Sequence, residues 1–111
     1  MTLRVLCRLD EIPDPGSKGF DFREGDDLRS VFVVRTGSEV RAYENSCPHT
    51  EGPLDWVPDQ FLTREKDMIL CATHGALFRI EDGHCLSGPC VGENLTPLAV
   101  SIESGAVAVE L

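Results

Sequence analysis

Short runs of β-branched and aromatic residues, separated by turn-forming residues, constrain the fold of this chain more than any other feature. Residues 28–35 read as a strand that ends at the turn 36–39, and residues 40–44 form a second strand, so the two predict a hairpin. Helical periodicity is nearly absent, and turn signals recur about every 8–12 residues. This spacing is typical of small β-sandwiches and barrels. We therefore predict an all-β, antiparallel sandwich or barrel.

The same patterns predict the remaining strands and two segments that differ from them. Further strands are expected at residues 3–9, 68–72, 76–80, 95–102 and 106–111. The segment 10–25 is rich in Pro, Gly and Asp and is predicted to form surface turns. Residues 47–63 lack alternation and contain the single Trp, as expected of a long functional loop. At 111 residues, we expect one domain over 1–111.

The charge of the chain restricts the kinds of partner it can have. With 10 basic and 19 acidic side chains, the formal net charge is −9. This charge argues against a nucleic-acid backbone or an anionic membrane surface as a partner and favours basic protein surfaces. The sequence contains no apolar run long enough to span a bilayer, and residues 1–8 do not resemble a secretory signal. We therefore expect a cytoplasmic location and no membrane partner.

Four residues in two short motifs are the candidate metal ligands of this chain. The chain contains Cys47-Pro48-His49 and Cys71-Ala72-Thr73-His74, each a thiol and an imidazole on a tight loop next to a strand. Two Cys and two His side chains that meet at one end of a sheet suit either zinc or an iron–sulfur cluster. Structural zinc sites usually pair Cys with Cys and His with His, whereas each motif here mixes the two types. The mixed motifs fit a binuclear site better, and zinc is the alternative.

These motifs resemble those of the Rieske [2Fe–2S] proteins, whose pattern is Cys-x-His followed by Cys-x-x-His-Gly. The resemblance continues through residues 52–54, 76–78, 82–83 and 87–89. It implies one [2Fe–2S] cluster, held by Cys47 and Cys71 on one iron and by His49 and His74 on the other. It also implies cluster-binding loops over about residues 45–76, between the strands. The 21 residues from 50 to 70 are a few more than small Rieske ferredoxins usually have between the motifs.

Four other positions indicate which Rieske subgroup the chain resembles. High-potential members brace the cluster loops with a disulfide, but the corresponding positions here are Gly52 and Thr73. They also place Ser and Tyr hydroxyls near cluster sulfur, at positions that are Ala76 and Phe78 here. Fewer donors to sulfur destabilise the reduced cluster, which predicts a potential at the low end of the Rieske range. The sequence is therefore similar to soluble, low-potential Rieske ferredoxins.

The resemblance implies an electron-transfer protein rather than an enzyme. Its partners would be a ferredoxin reductase and a terminal oxygenase of the ring-hydroxylating type. Rieske oxygenase subunits carry a second, iron-binding domain, for which 111 residues leave no room. The small Rieske-like subunit of a nitrite reductase is an alternative, as is a structural or regulatory metal-binding module.

The remaining Cys and His residues have less specific interpretations. We expect Cys85 and Cys90 to be buried or semi-buried thiols of a hairpin near the cluster, with a redox-active pair or disulfide as the alternative. Cys7 is predicted in the core and His84 on the solvated surface. Trp56 is expected to pack beneath the long loop.

Overall fold

Strands account for most of the chain. The computed structural model describes residues 3–48, 54, 59–72 and 75–110. These residues contain a 3₁₀ turn at Leu9–Glu11 and ten strands: β1 (Leu3–Arg8), β2 (Gly16–Glu24), β3 (Asp27–Thr36), β4 (Glu39–Glu44), β5 (Ile69–Cys71), β6 (Ala76–Phe78), β7 (Cys85–Ser87), β8 (Pro97–Leu98), β9 (Val100–Glu103) and β10 (Ala106–Glu110). The prediction of an all-β fold is confirmed.

The strands form three antiparallel sheets. The largest has the order β2-β3-β4-β8, a second has the order β1-β10-β9, and a third has the order β5-β6-β7. The third sheet contains Cys71, the first residue of the second Cys–His motif. We call these the central sheet, the terminal sheet and the site sheet.

The central sheet is buried on both faces. Because side chains alternate along a strand, neighbouring residues of β3 point to opposite sides. Phe32 and Val34 belong to one core cluster, whereas Val33 belongs to another. In β4, Tyr43 lies in the first cluster and Ala42 in the second. The first cluster contains residues of the site sheet and the second contains residues of the terminal sheet, so the central sheet separates two cores.

The prediction of surface turns at residues 10–25 was wrong over its second half. Residues 16–24 form β2, which pairs with β3 along its whole length, from the Gly16–Arg35 pair to the Glu24–Asp27 pair. Glycine weakens a strand prediction, but here it serves packing. A Cβ atom at Gly19 would lie 3.0 Å from the ring of Phe61. Close approach of that ring therefore accounts for a glycine in this strand.

The predicted strand at residues 95–102 is two strands in the structure. β8 pairs with β4 in the central sheet, whereas β9 pairs with β10 in the terminal sheet. Ala99 lies between them, and the chain passes from one sheet to the other at this residue. Alternation alone does not reveal such a change of partner, because both strands keep an extended backbone.

Tyr43 links the central sheet to the turn after the site sheet's middle strand. Its ring centroid lies 5.7 Å from that of Phe32, and its hydroxyl donates a 2.5 Å hydrogen bond to the carbonyl oxygen of Ile80. Burial raises the pKa of Tyr43 to about 12. Gly83 is required beside it, because its φ is +73° and a Cβ atom there would lie 2.8 Å from Cε1 of Tyr43.

Because Tyr43 is the single tyrosine of the chain, its ionisation can be followed by ultraviolet difference spectroscopy. We expect the phenol to titrate near pH 12 in the folded protein and near pH 10 after unfolding. The stability that this raised pKa contributes is complete below about pH 10 and is lost as the pH rises through about 12. Tyr43→Phe should lower the free energy of unfolding by about 1 kcal/mol at neutral pH, since Ile80 loses a donor. A folded-state titration near pH 10 would contradict this assignment.

Candidate metal centre

The first motif begins three residues after the end of β4, at Cys47. The amide of Ser46 donates to the carbonyl oxygen of Glu44 at 2.9 Å, which turns the chain out of the strand. Cys47 follows and is fully buried, with 0% of its surface exposed. Its partner in the motif, His49, lies outside the described residues. The first predicted thiol ligand is thus in the core, at one end of the central sheet.

The second motif begins at the last residue of β5. Cys71 is also 0% exposed, and it pairs in the sheet with Ala76, the first residue of β6. The amide of Gly75 donates to the carbonyl oxygen of Cys71 at 2.8 Å, which closes the loop between the strands. Gly75 has a φ of +71°, a conformation that favours glycine. His74 lies outside the described residues.

A chain of hydrogen bonds joins the two motifs. The side-chain amide of Asn45 donates to Oγ of Ser30 in β3 at 3.3 Å, and Oδ1 of Asn45 accepts from the amide of Leu54 at 2.8 Å. The carbonyl oxygen of Leu54 accepts from the amide of Ala72, the residue after Cys71, at 2.9 Å. Asn45 thus connects the central sheet to both motifs, and Cys47 and Cys71 belong to the same buried cluster.

A third segment packs against the second motif. β7 and the turn after it contain Cys85 and Cys90, which are buried in the same cluster as the two motif thiols. Gly88 fits against Ala76, because a Cβ atom there would lie 2.8 Å from Cα of Ala76. Burial, a hydrogen bond with Cys85 and the proximity of other thiols, Cys47 among them, raise the pKa of Cys90 to about 12. The prediction that this thiol pair is buried is confirmed.

The other predicted residues occupy less central positions. Cys7 is buried in the cluster on the opposite face of the central sheet, as predicted. His84 is partly exposed, and its Nδ1 atom lies 2.9 Å from Oδ1 of Asn94. Trp56, Gly52 and Thr73 lie outside the described residues. Sequence patterns did not single out Asn45, because its side-chain partners Ser30 and Leu54 are not its neighbours in the chain.

The donor set is compatible with a metal cluster. The described residues contribute two buried thiols from the two motifs, and thiolates are the usual protein ligands of iron–sulfur clusters. The described part of the chain contains no group of three or more metal-ligating side chains, and the two motif imidazoles fall outside it. The placement of the thiols therefore fits the two-Cys, two-His set.

The family of the chain follows from its sequence. Residues 2–104 match the family model for the Rieske [2Fe-2S] domain. The chain therefore belongs to the Rieske [2Fe–2S] family, and its cofactor is a Rieske [2Fe–2S] cluster. The prediction made from the paired motifs is confirmed at this level.

Solved structures of this fold include ferredoxins. The ferredoxin of carbazole 1,9a-dioxygenase from Nocardioides aromaticivorans IC177 is 26% identical, with a TM-score of 0.76 over 98% of this chain and 97% of that one. The Sphingomonas yanoikuyae B1 ferredoxin is 23% identical, with a TM-score of 0.74 over 99% of each chain. A chain in the complex of reduced oxygenase and oxidized ferredoxin in carbazole 1,9a-dioxygenase is 22% identical, with a TM-score of 0.74 over 96% and 91%. No curated protein sequence is significantly similar to this chain.

The described residues form no helix that is long and apolar enough to cross a bilayer.

Removing the Asn45 side chain tests the connection between the motifs. Asn45→Ala leaves the amide of the buried Leu54 without its acceptor. We expect the free energy of unfolding to fall by about 1–3 kcal/mol, together with a lower iron content. Thermal denaturation and iron analysis measure the two effects.

Asn94→Ala is the matched control for this substitution. The Asn94 side chain contacts His84 at the surface, away from the two motifs. Its removal should change stability by less than about 0.5 kcal/mol and leave the iron content unchanged. Equal effects of the two substitutions would contradict the role assigned to Asn45.

Proposed function

We propose that this protein carries single electrons from a ferredoxin reductase to a terminal oxygenase. The observation that carries the proposal is the joint burial of Cys47 and Cys71 in one core cluster, in a chain of the Rieske family. A Rieske cluster exchanges one electron and supplies the redox chemistry when it is bound. The chain's own residues hold the cluster, exclude water from its thiolates and set its potential.

We assign the ligands residue by residue from the two motifs. Cys47 and Cys71 would hold one iron, and His49 and His74 the other. The burial of both thiols supports this assignment, as does the hydrogen-bonded link between the motifs through Leu54. In this proposal residues 1–111 act as one domain, with the cluster loops within about residues 45–76.

Partner recognition would depend on charge. With a net charge of −9, the surface favours basic docking sites on both the reductase and the oxygenase. The similar chain found in the oxygenase–ferredoxin complex of carbazole 1,9a-dioxygenase supports an oxygenase as the electron acceptor. The cytoplasmic location expected from the sequence suits such partners and a chain whose five Cys are reduced.

The proposal is tested by single-turnover transfer. Protein purified without oxygen is analysed for iron and sulfide, with about two of each expected per chain. It is then reduced with dithionite and mixed with an oxidised terminal oxygenase of the ring-hydroxylating type. We expect each chain to return one electron, measured by recovery of the cluster's visible absorption. Stoichiometric zinc, or transfer to a nitrite reductase and not to the oxygenase, would contradict the proposal.

Substitution of single cysteines tests the ligand assignment. Cys47→Ser and Cys71→Ser should each abolish the visible spectrum, because a hydroxyl is a poor substitute for a thiolate ligand of iron. Cys7→Ser is the matched control, since Cys7 is also buried, with 8% of its surface exposed, but lies on the other face of the central sheet. That variant should keep the spectrum. Loss of the spectrum in the Cys7 variant alone would refute the assignment.

Two hydroxyl insertions test what sets the potential. Ala76 lies directly opposite Cys71 in the site sheet, and Phe78 is two residues further along the same buried face. A hydrogen bond worth about 1 kcal/mol more in the reduced state would raise a one-electron potential by about 40 mV. Ala76→Ser and Phe78→Tyr should each raise the midpoint potential by this order, the Ala76 variant more because it is nearer a proposed ligand. Protein-film voltammetry at fixed pH measures the change, and a lowered potential in both variants would contradict this account.

A further inference from the structure

Two thiols outside the proposed ligand set are in contact. The Sγ atoms of Cys85 and Cys90 lie 3.1 Å apart, and the two residues are 1% and 2% exposed. Both are free thiols in this structure. The described part of the chain holds three more cysteines, which are the two proposed ligands and Cys7 in the opposite core.

Hydrogen bonds orient this pair. The Cys85 thiol donates to the carbonyl oxygen of Ser87 at 3.3 Å, and either thiol can donate in the contact between the two sulfurs. The amide of Cys85 donates to the carbonyl oxygen of Glu93 at 2.8 Å, and the amide of Glu93 donates to that of Cys90 at 2.9 Å. This backbone frame keeps both sulfurs within one turn. They need to approach by only about 1 Å to reach the length of a disulfide bond, about 2.05 Å.

The pair is covered by a thin layer of chain. Residues 86–89 and 91–94 are all exposed, so the two sulfurs lie directly beneath a surface turn. Local opening of an exposed turn costs less free energy than global unfolding. A small oxidant can therefore reach these thiols while the core remains folded.

We propose that Cys85 and Cys90 are a modification site that a hydroperoxide converts to an intramolecular disulfide. Opening of the turn relieves the burial that raises the pKa of Cys90, so that a thiol of the pair can ionise. The thiolate attacks the terminal peroxide oxygen, the O–O bond breaks, and the departing oxygen takes up the released proton, which gives a sulfenic acid and one molecule of water or alcohol. The second thiol then displaces the sulfenic hydroxyl as water and forms the S–S bond. The peroxide gains two electrons and the two thiols lose two. A dithiol reductant reverses the change by thiol–disulfide exchange.

This site is independent of the proposed electron-carrier function. Neither cysteine belongs to the Cys-x-His or Cys-x-x-His motif, and the reaction requires no electron from the cluster. The thiols share a buried cluster with Cys47, so the modification takes place beside a proposed ligand without using it. Failure of electron transfer to an oxygenase would leave the disulfide proposal unaffected.

Peptide mapping of the holoprotein tests the proposal. Trypsin cleaves after Arg79 and finds no later Lys or Arg, so residues 80–111 form one peptide that holds only Cys85 and Cys90. The protein is treated without oxygen with hydrogen peroxide at one equivalent per chain, unfolded, alkylated and digested. We expect this peptide to lose about 2 Da and to resist alkylation, since a disulfide removes two hydrogens and both reactive thiols. Treatment with dithiothreitol before alkylation should restore two alkylated thiols.

Matched variants and the visible spectrum of the cluster distinguish disulfide formation at this site from other effects of the peroxide. Cys85→Ser and Cys90→Ser should each abolish the 2 Da loss, and Cys7→Ser should retain it. If a variant does not fold, the mass and the alkylation of the wild-type 80–111 peptide are sufficient to test the proposal. Retention of the cluster's visible absorption while the disulfide forms supports the proposal. Full alkylation of the 80–111 peptide, or bleaching of the cluster as fast as the thiols are consumed, would overturn it.

Discussion

Burial of β3 on both faces is the constraint on which the other elements depend. Its even-numbered residues Phe32 and Val34 pack toward the site sheet, and Val33 packs toward the terminal sheet. The ring of Phe32 stacks on that of Phe61 with centroids 4.3 Å apart, which anchors the end of the long loop to the strand. A slip of one residue in the pairing of β3 would exchange the two cores, so its register determines which residues face the cluster loops.

Hydrogen bonds through Asn45 connect β3 to the candidate metal centre. Asn45 donates a hydrogen bond to Ser30 of β3 and accepts one from the amide of Leu54. The carbonyl oxygen of Leu54 in turn accepts from the amide of Ala72, the residue after Cys71. Buried backbone groups of loops need hydrogen-bond partners. Here the amide of Leu54 donates to the Asn45 side chain, and the amide of Ala72 donates to the carbonyl oxygen of Leu54. Ligands that are held by packing and hydrogen bonds keep the same geometry before and after electron transfer, which suits a carrier.

The sequence was sufficient to predict the fold class, most strands and the two thiols that share a core. Each of these depends on local patterns, namely alternation for the strands and ligand spacing for the motifs. The strand β2 was missed because Gly16 and Gly19 weaken the local signal, whereas the approach of Gly19 to Phe61, far along the chain, depends on the tertiary fold. The change of sheet at Ala99 and the role of Asn45 depend on contacts between segments that are far apart in the chain. A single sequence contains no signal for such contacts.

The pairing of β1 with β10 has a consequence for how the protein is made. β10 is the middle strand of the terminal sheet, and it pairs with β1 on one side and β9 on the other. Among the described strands β1 is made before the others, and the strand that pairs with it, residues 106–110, is made after them. The two motifs, β3, β4 and the site sheet all precede residue 88, so the metal-binding end is complete in sequence well before the terminal sheet can close. The order of translation therefore allows the proposed cluster-binding end to assemble around the β3–β4 hairpin before β1 can pair with β10.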